Sequence, residues 1–246
     1  MESSMIKTLG LPMEKTLLIS LAGAGGKTTV LYALGRELAE AGKDVLLTTT
    51  THMFRERGCD LSGNAGKILE KLNTTNPLLA GIGCEQEPDK IQKLPDDVFA
   101  QLTQQVSAVL VEADGAKRLP FKVPAAHEPV IPKESTHIFV VAGMSAIGRP
   151  LAQVCHRWQT AARWLDTKEN TLLTPAMAGA LLEYFYIDPL KARFPQAQVG
   201  IWCNQADDAR RQAFARELLE QTREGEGYLT SFEKGELRCI RKFSKK

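Results

Sequence analysis

Gly23-Ala24-Gly25-Gly26-Lys27-Thr28-Thr29 carries the residue types that hold a polyphosphate. Glycines free the backbone to adopt positive φ, so that N–H groups can come close to phosphate oxygens. Lys27 supplies an ammonium for the outer phosphates and Thr28 a hydroxyl for a magnesium ion. Thr29 can cap a helix or touch the innermost phosphate. The full motif G-x-x-x-x-G-K-[ST] asks for glycine where this chain has Leu21, so what remains is a shorter G-x-x-G-K-T-T from Gly23. A glycine-rich turn with a chance Gly-Lys-Thr is the competing explanation. Against it stand the apolar run before the glycines and the amphipathic pattern after them. On that reading Gly23, Ala24, Gly25, Gly26, Lys27, Thr28 and Thr29 bind a nucleoside triphosphate, ATP or GTP, with Mg2+.

A second group of chemical residues follows an apolar run at Val109-Leu110-Val111-Glu112-Ala113-Asp114-Gly115. Two carboxylates two residues apart share a face of an extended strand, so Glu112 and Asp114 can reach one metal ion or orient an attacking water. Acids at a solvent-exposed strand exit are the plainer alternative. Lys117 and Arg118 come next and can neutralise charge in a transition state, or pair with those acids. Thr48-Thr49-Thr50-Thr51-His52 places four hydroxyls at another strand end, where Thr50 is a candidate for magnesium or a γ-phosphate and the run for a nucleotide-ordered switch. β-favouring threonines in an edge strand would read the same way. His52 is too isolated to be assigned as a ligand.

Asn204 and Asp207 have the Asn-x-x-Asp spacing with which guanine-reading NTPases hold the base, although Gln205 stands where those proteins carry lysine. A helix N-cap at Asp207 is the alternative. Lys122, His127 and Glu128 lie in a proline-rich stretch and make a candidate second-ligand site, with solvated surface as the rival. Trp158 and Trp164 have the helical spacing of core residues.

These residues need elements to position them. A strand from residue 17 and a helix over 28–41 bracket the glycine loop. Strands are expected at 44–50, 77–84, 107–113, 136–143 and 198–203, with a last short one at 236–243. Helices are expected at 96–105, 151–165, 175–186 and 207–221. Residues 119–132 cannot be regular, because Pro120, Pro124, Pro129 and Pro132 each remove a donor. The alternation predicts an α/β fold of P-loop NTPase type: a mostly parallel sheet with helices on both faces. It reads as a single nucleotide-binding domain over 1–246, with a small helical insertion at 148–190. Ligands of such sheets sit at the carboxyl ends of the strands, where every motif above falls.

Composition narrows the function classes. A formal net charge of +2 gives no broad case for nucleic acid. No apolar stretch approaches the ~20 residues of a membrane span. Met1-Glu2-Ser3-Ser4 lacks the layout of a secretion signal, and five dispersed cysteines suit a reducing compartment, so a cytoplasmic protein is expected. Cys84 and Cys203 read as core residues, and the basic tail 241–246 as a solvated end.

The glycine loop, the threonine run, Val111-Glu112-Ala113-Asp114-Gly115-Ala116-Lys117, and His127-Glu128-Pro129 together resemble the YqeC family over residues 17–207. The resemblance implies a P-loop NTP-binding accessory protein of selenium-dependent molybdenum hydroxylases, acting in maturation of that enzyme or its cofactor. The loop with Glu112 and Asp114 is also similar to the Mur ligases, which join a carboxylate to an amine with ATP; this chain is too short for their three domains. Three functions follow. One is a Mg2+-dependent NTP hydrolase or phosphoryl-transfer enzyme using Lys27, Glu112, Asp114 and Lys117, with Thr28, Thr50, Glu112 and Asp114 at the metal. The others are a nucleotide-gated delivery or binding protein with little turnover, and an amide ligase.

Overall fold

The structure, a computed structural model, describes residues 4–223, 227–233 and 236–243, with side chains as far as Ser231. The end of the basic tail and the side chain of Cys239 lie outside the described residues.

Eight strands make the main sheet: β1 (Leu17–Gly23), β2 (Val45–Thr49), β3 (Leu78–Leu79), β4 (Ala108–Glu112), β5 (His137–Gly143), β6 (Gln198–Asn204), β7 (Gly227–Glu233) and β8 (Glu236–Phe243). Their spatial order is β8-β7-β6-β5-β1-β4-β2-β3. Every neighbouring pair is parallel except β7 with β8. β1 therefore lies in the interior of the sheet, and all seven of its residues are buried. That explains its near-continuous apolar sequence, because a central parallel strand is covered on both faces.

The two faces separate by residue parity. Leu17, Ile19 and Leu21 pack with Leu47 and Leu110 against Val30, Leu31, Leu34 and Leu38, the inner stripe of the Lys27–Glu40 helix. Leu18, Leu46, Val109 and Val111 point the other way, onto Ile68 and Leu72 of the Ala65–Leu72 helix and Leu102 of the Asp96–Thr103 helix. Further along that face Val140, Ile201 and Cys203 meet Ala178, Leu181, Leu218 and Leu219 from the Pro175–Leu182 and Ala209–Gln221 helices. Helices thus cover both faces of a mostly parallel sheet, as the alternation predicts. Among the described residues no helix is long and apolar enough to cross a membrane.

Several expected elements differ. The helix expected over 151–165 is broken: Leu151–Val154 and Trp158–Trp164 are helical, but Cys155–His156 between them is extended and pairs with Phe121–Lys122. The proline-rich stretch therefore contains one short strand. The 77–84 segment splits between β3 and Ile82–Gly83, which joins His52–Phe54 and Lys90–Gln92 in a separate three-stranded sheet. The second insertion helix continues past residue 186, through Glu183–Ile187 into Asp188–Arg193. Trp164 is 39% exposed and stacks near Tyr184 rather than filling the core. Cys203 is buried as expected, whereas Cys84 is only partly so.

Candidate functional site at the carboxyl edge of the sheet

Strand order fixes what can meet at the carboxyl edge. Moving outward from β1, the loop 23–26 lies between the segment after β4, which holds Asp114, and the segment after β5. The segment after β2 lies beyond β4, and Gln205, after β6, beyond β5. These segments line one cavity of about 700 Å3. Its wall includes Gly25, Gly26, Lys27, Thr28 and Thr29 together with Glu112.

The loop takes its shape from its neighbours. Gly23, Gly25 and Gly26 have φ of 89°, 86° and 111°. A Cβ on Gly25 would strike the Gly143 backbone, and one on Gly26 the side-chain amide of Asn204. The glycines are required first by close packing of the loop on β5 and β6, and only then by any ligand. Gly26 caps the Lys27–Glu40 helix without a side-chain hydrogen bond. The first N–H groups of the helix, which have no intrahelical acceptor, remain available to an anion.

Beneath the loop lies a buried ionic cluster. Lys27 Nζ donates to Gly23 O at 2.7 Å and stands 3.2 Å from Asp114 Oδ1. Asp114 Oδ2 accepts from Gly23 N–H at 3.1 Å, from Tyr186 Oη at 3.2 Å, and pairs with Lys122 Nζ at 2.9 Å. Lys122 also pairs with Glu128 at 2.9 Å, and Glu128 with Arg157 at 2.8 Å. Burial, reinforced by the neighbouring Asp114 carboxylate, pushes the Tyr186 phenol well above its ordinary value and keeps it a donor.

Asp114 is consequently not where a shared strand face would put it. It is 0% exposed and does not line the cavity. Its carboxylate orients Lys27 from below, which corrects its expected place among the metal ligands. Glu112 does reach the cavity, and Thr28 Oγ1 donates to its Oε2 at 2.7 Å. Burial raises the Glu112 carboxyl, against the lowering influence of Lys27 and the Thr28 bond. Lys117 lines the cavity as well.

Other expected residues are placed elsewhere. Thr50 Oγ1 donates to Val130 O at 2.7 Å and Thr50 lines a different groove; of the 48–51 threonines it is Thr51 that lines the cavity. Asn204 is buried, with Nδ2 donating to Gly25 O and Oδ1 accepting from Thr230, so its amide braces the loop rather than facing a base. Asp207 pairs with Arg211 on the surface, and Asp208 is the residue that caps the Ala209–Gln221 helix. Gly23 and Ala24, at the start of the loop, are buried and do not line the cavity, and His127 is exposed outside it. The sequence reading did not single out Arg149 and Arg157, which line the cavity; it gave Thr51 only as part of the threonine run and Gln205 only as the residue in place of a lysine, and both line it too. Arg157 and Gln205 have positive φ, but their sequence context gives no sign of it.

The cluster has a pH signature. Burial alone would raise Glu128, but bonds from Lys122 and the Ala125 N–H outweigh it and hold this carboxyl down at about 2. Its folded value is depressed, so its stabilisation is present above the unfolded value near 4.5 and lost as pH falls through about 2. Between those limits the melting temperature of the parent should drop more steeply than that of a Glu128→Gln variant. Parallel melting curves over that window would show that Glu128 is not held ionised.

Fold and site together define a parallel α/β protein with the strand–glycine loop–helix arrangement of P-loop proteins at the carboxyl edge of its sheet. Within that class the chain belongs to the YqeC family. The family model described as "YqeC protein" matches residues 19–159, which contain the loop, Glu112 and the whole ionic cluster except Tyr186. A curated relative, "Uncharacterized protein YqeC" of Escherichia coli (strain K12), is 32% identical over 182 residues, covering 70% of this chain and 67% of that protein. Among solved structures, the MinD cell division protein of Aquifex aeolicus overlays 77% of this chain and 69% of its own, at 13% identity and a TM-score of 0.33.

Proposed function

We propose that the cavity binds a magnesium nucleoside triphosphate, ATP or GTP, and that the protein hydrolyses it or transfers its terminal phosphoryl group. The observation that carries this reading is the Lys27 ammonium, 4% exposed at the mouth of a glycine loop and beside the Thr28–Glu112 pair. A buried cation on a helix N-terminus has an anion as its natural partner. The donors also suit magnesium: a hydroxyl and a carboxylate, both hard oxygens. Among the described residues no group of three or more His, Cys, Asp or Glu is arranged to hold a metal. That fits an ion that keeps its waters and takes its remaining oxygens from phosphates. Bound there, the metal would neutralise charge developing on the phosphates.

The chain's own groups divide the work. Loop and helix N–H groups receive the phosphates, Lys27 meets their outer charge, and Lys117 adds positive charge at the rim. Glu112 holds the metal with Thr28 or orients the attacking water. Asp114 and Lys122 keep Lys27 aimed. Membership of the YqeC family supports a role as accessory factor in maturation of a selenium- and molybdenum-containing hydroxylase or its cofactor, with that enzyme as client.

Calorimetric titration with ATP and GTP, with and without magnesium, tests the reading. Binding is expected to tighten on adding magnesium, and a Thr28→Ala variant should lose that increment while keeping the magnesium-free affinity. If neither nucleotide binds under either condition, the proposal is wrong.

A further inference from the structure

We propose that the β2 side of the cavity is a separate subsite for a small anionic co-substrate, phosphate- or carboxylate-bearing, held by Arg118 and Thr51. This rests on the nucleotide reading and adds a second ligand to the same cavity.

Three observations converge. First, Thr51 Oγ1 is buried, lines the cavity and has no hydrogen-bond partner among the described residues, whereas the hydroxyls of Thr48, Thr49 and Thr50 each donate to a backbone carbonyl. A buried hydroxyl without a partner is costly unless a ligand completes it. Second, Arg118 lines the same cavity and its guanidinium lies 4.5 Å from the centroid of the Phe54 ring. That contact, made between exposed side chains, draws the guanidinium to the cavity wall without using its N–H groups, and a guanidinium matches an oxyanion in bidentate fashion. Lys90 is also near the Phe54 ring, but Glu87 pairs with it, so Arg118 supplies the uncompensated charge.

Third, the backbone is strained here. Of the five non-glycine residues with positive φ among those described, four line this cavity, and Lys117 (48°) and Arg118 (61°) are consecutive. Left-handed backbone in long side chains persists where the surroundings impose it, characteristically at functional sites. The strand order sets the distance from the triphosphate. Thr51 and Phe54 follow β2, which is separated from β1 and its loop by β4. The subsite therefore adjoins Glu112 on the side away from β5 and β6, where an acceptor for the terminal phosphoryl group would be placed.

The probes are inorganic phosphate and succinate, titrated into the full chain saturated with magnesium and a non-hydrolysable ATP analogue. Phosphate or succinate should bind as a second event, and whichever binds more tightly identifies the class. Arg118→Ala and Thr51→Val should each weaken that event by about tenfold, the loss of one charged or buried hydrogen bond. Both should keep the analogue's dissociation constant within about twofold and melt near the parent. If the anions bind only when the analogue is absent, or the variants lose analogue and anion together, Arg118 and Thr51 serve the nucleotide itself and the subsite is refuted. The nucleotide reading would survive that result. Failure of the analogue to bind refutes both.

Discussion

Lys27→Ala should abolish saturable nucleotide binding and lower phosphate release by about a hundredfold or more, the scale on which a single transition-state donor acts. The fold should survive. Asp114 Oδ2 would keep Lys122 at 2.9 Å, the Gly23 N–H at 3.1 Å and the Tyr186 hydroxyl at 3.2 Å, while Oδ1 loses the ammonium 3.2 Å away, so the charge stays partly compensated and stability falls less than on loss of the carboxylate itself. A parental circular dichroism spectrum with a lowered melting temperature, combined with a flat calorimetric trace, is the expected set of results. Parental affinity in this variant would mean that the ammonium does not meet the phosphates, and the site would have to be placed elsewhere.

The opposite substitution should act on stability. Asp114→Ala leaves Lys27 hydrogen-bonded to the Gly23 carbonyl with the Glu112 carboxyl as its remaining acidic neighbour, and Lys122 with Glu128 and the Gly115 carbonyl. Removing one partner from a buried charge cluster costs about 3–5 kcal/mol. For a chain of this size that corresponds to a drop of roughly 10 °C in melting temperature. Adding Lys27→Ala to Asp114→Ala should return part of the loss, because the uncompensated ammonium is removed, with a coupling of about 0.5–3 kcal/mol. If Asp114→Ala melts with the parent, or the two losses simply add, the carboxylate does not organise the cluster.

That contrast between Lys27 and Asp114 shows how far a sequence can be read here. The loop was legible because its signals are local: an apolar run, three glycines, then a lysine and a helical pattern, and the helix runs Lys27–Glu40 against an expected 28–41. The main strands were legible for the same reason, β4 covering Ala108–Glu112 where 107–113 was expected. Asp114 was not, because its orientation is decided by Lys122 and Tyr186, eight and seventy-two residues away. A helical apolar pattern at 151–165 gave no warning that Cys155–His156 would be drawn into pairing with Phe121–Lys122. The spacing of Asn204 and Asp207 suggested a base-reading pair, but spacing carries no information on the Gly25 carbonyl that already occupies the asparagine. Thr50 and Thr51 differ by one position but sit in a bend between β2 and His52–Phe54, and their hydroxyls enter different cavities, which sequence spacing does not convey.

The brace behind the loop has one more consequence. Trp202 Nε1 donates to Thr230 Oγ1, Thr230 to Asn204 Oδ1, and Asn204 Nδ2 to Gly25 O, each at 2.8 Å. The relay ties the loop to two strands through groups that are all buried. The loop's conformation is therefore already settled before any ligand arrives, and little chain entropy remains to be lost on association. Affinity generated at such a rigid rim rests on the anion's charge and contacts, with almost none of it consumed in ordering the host.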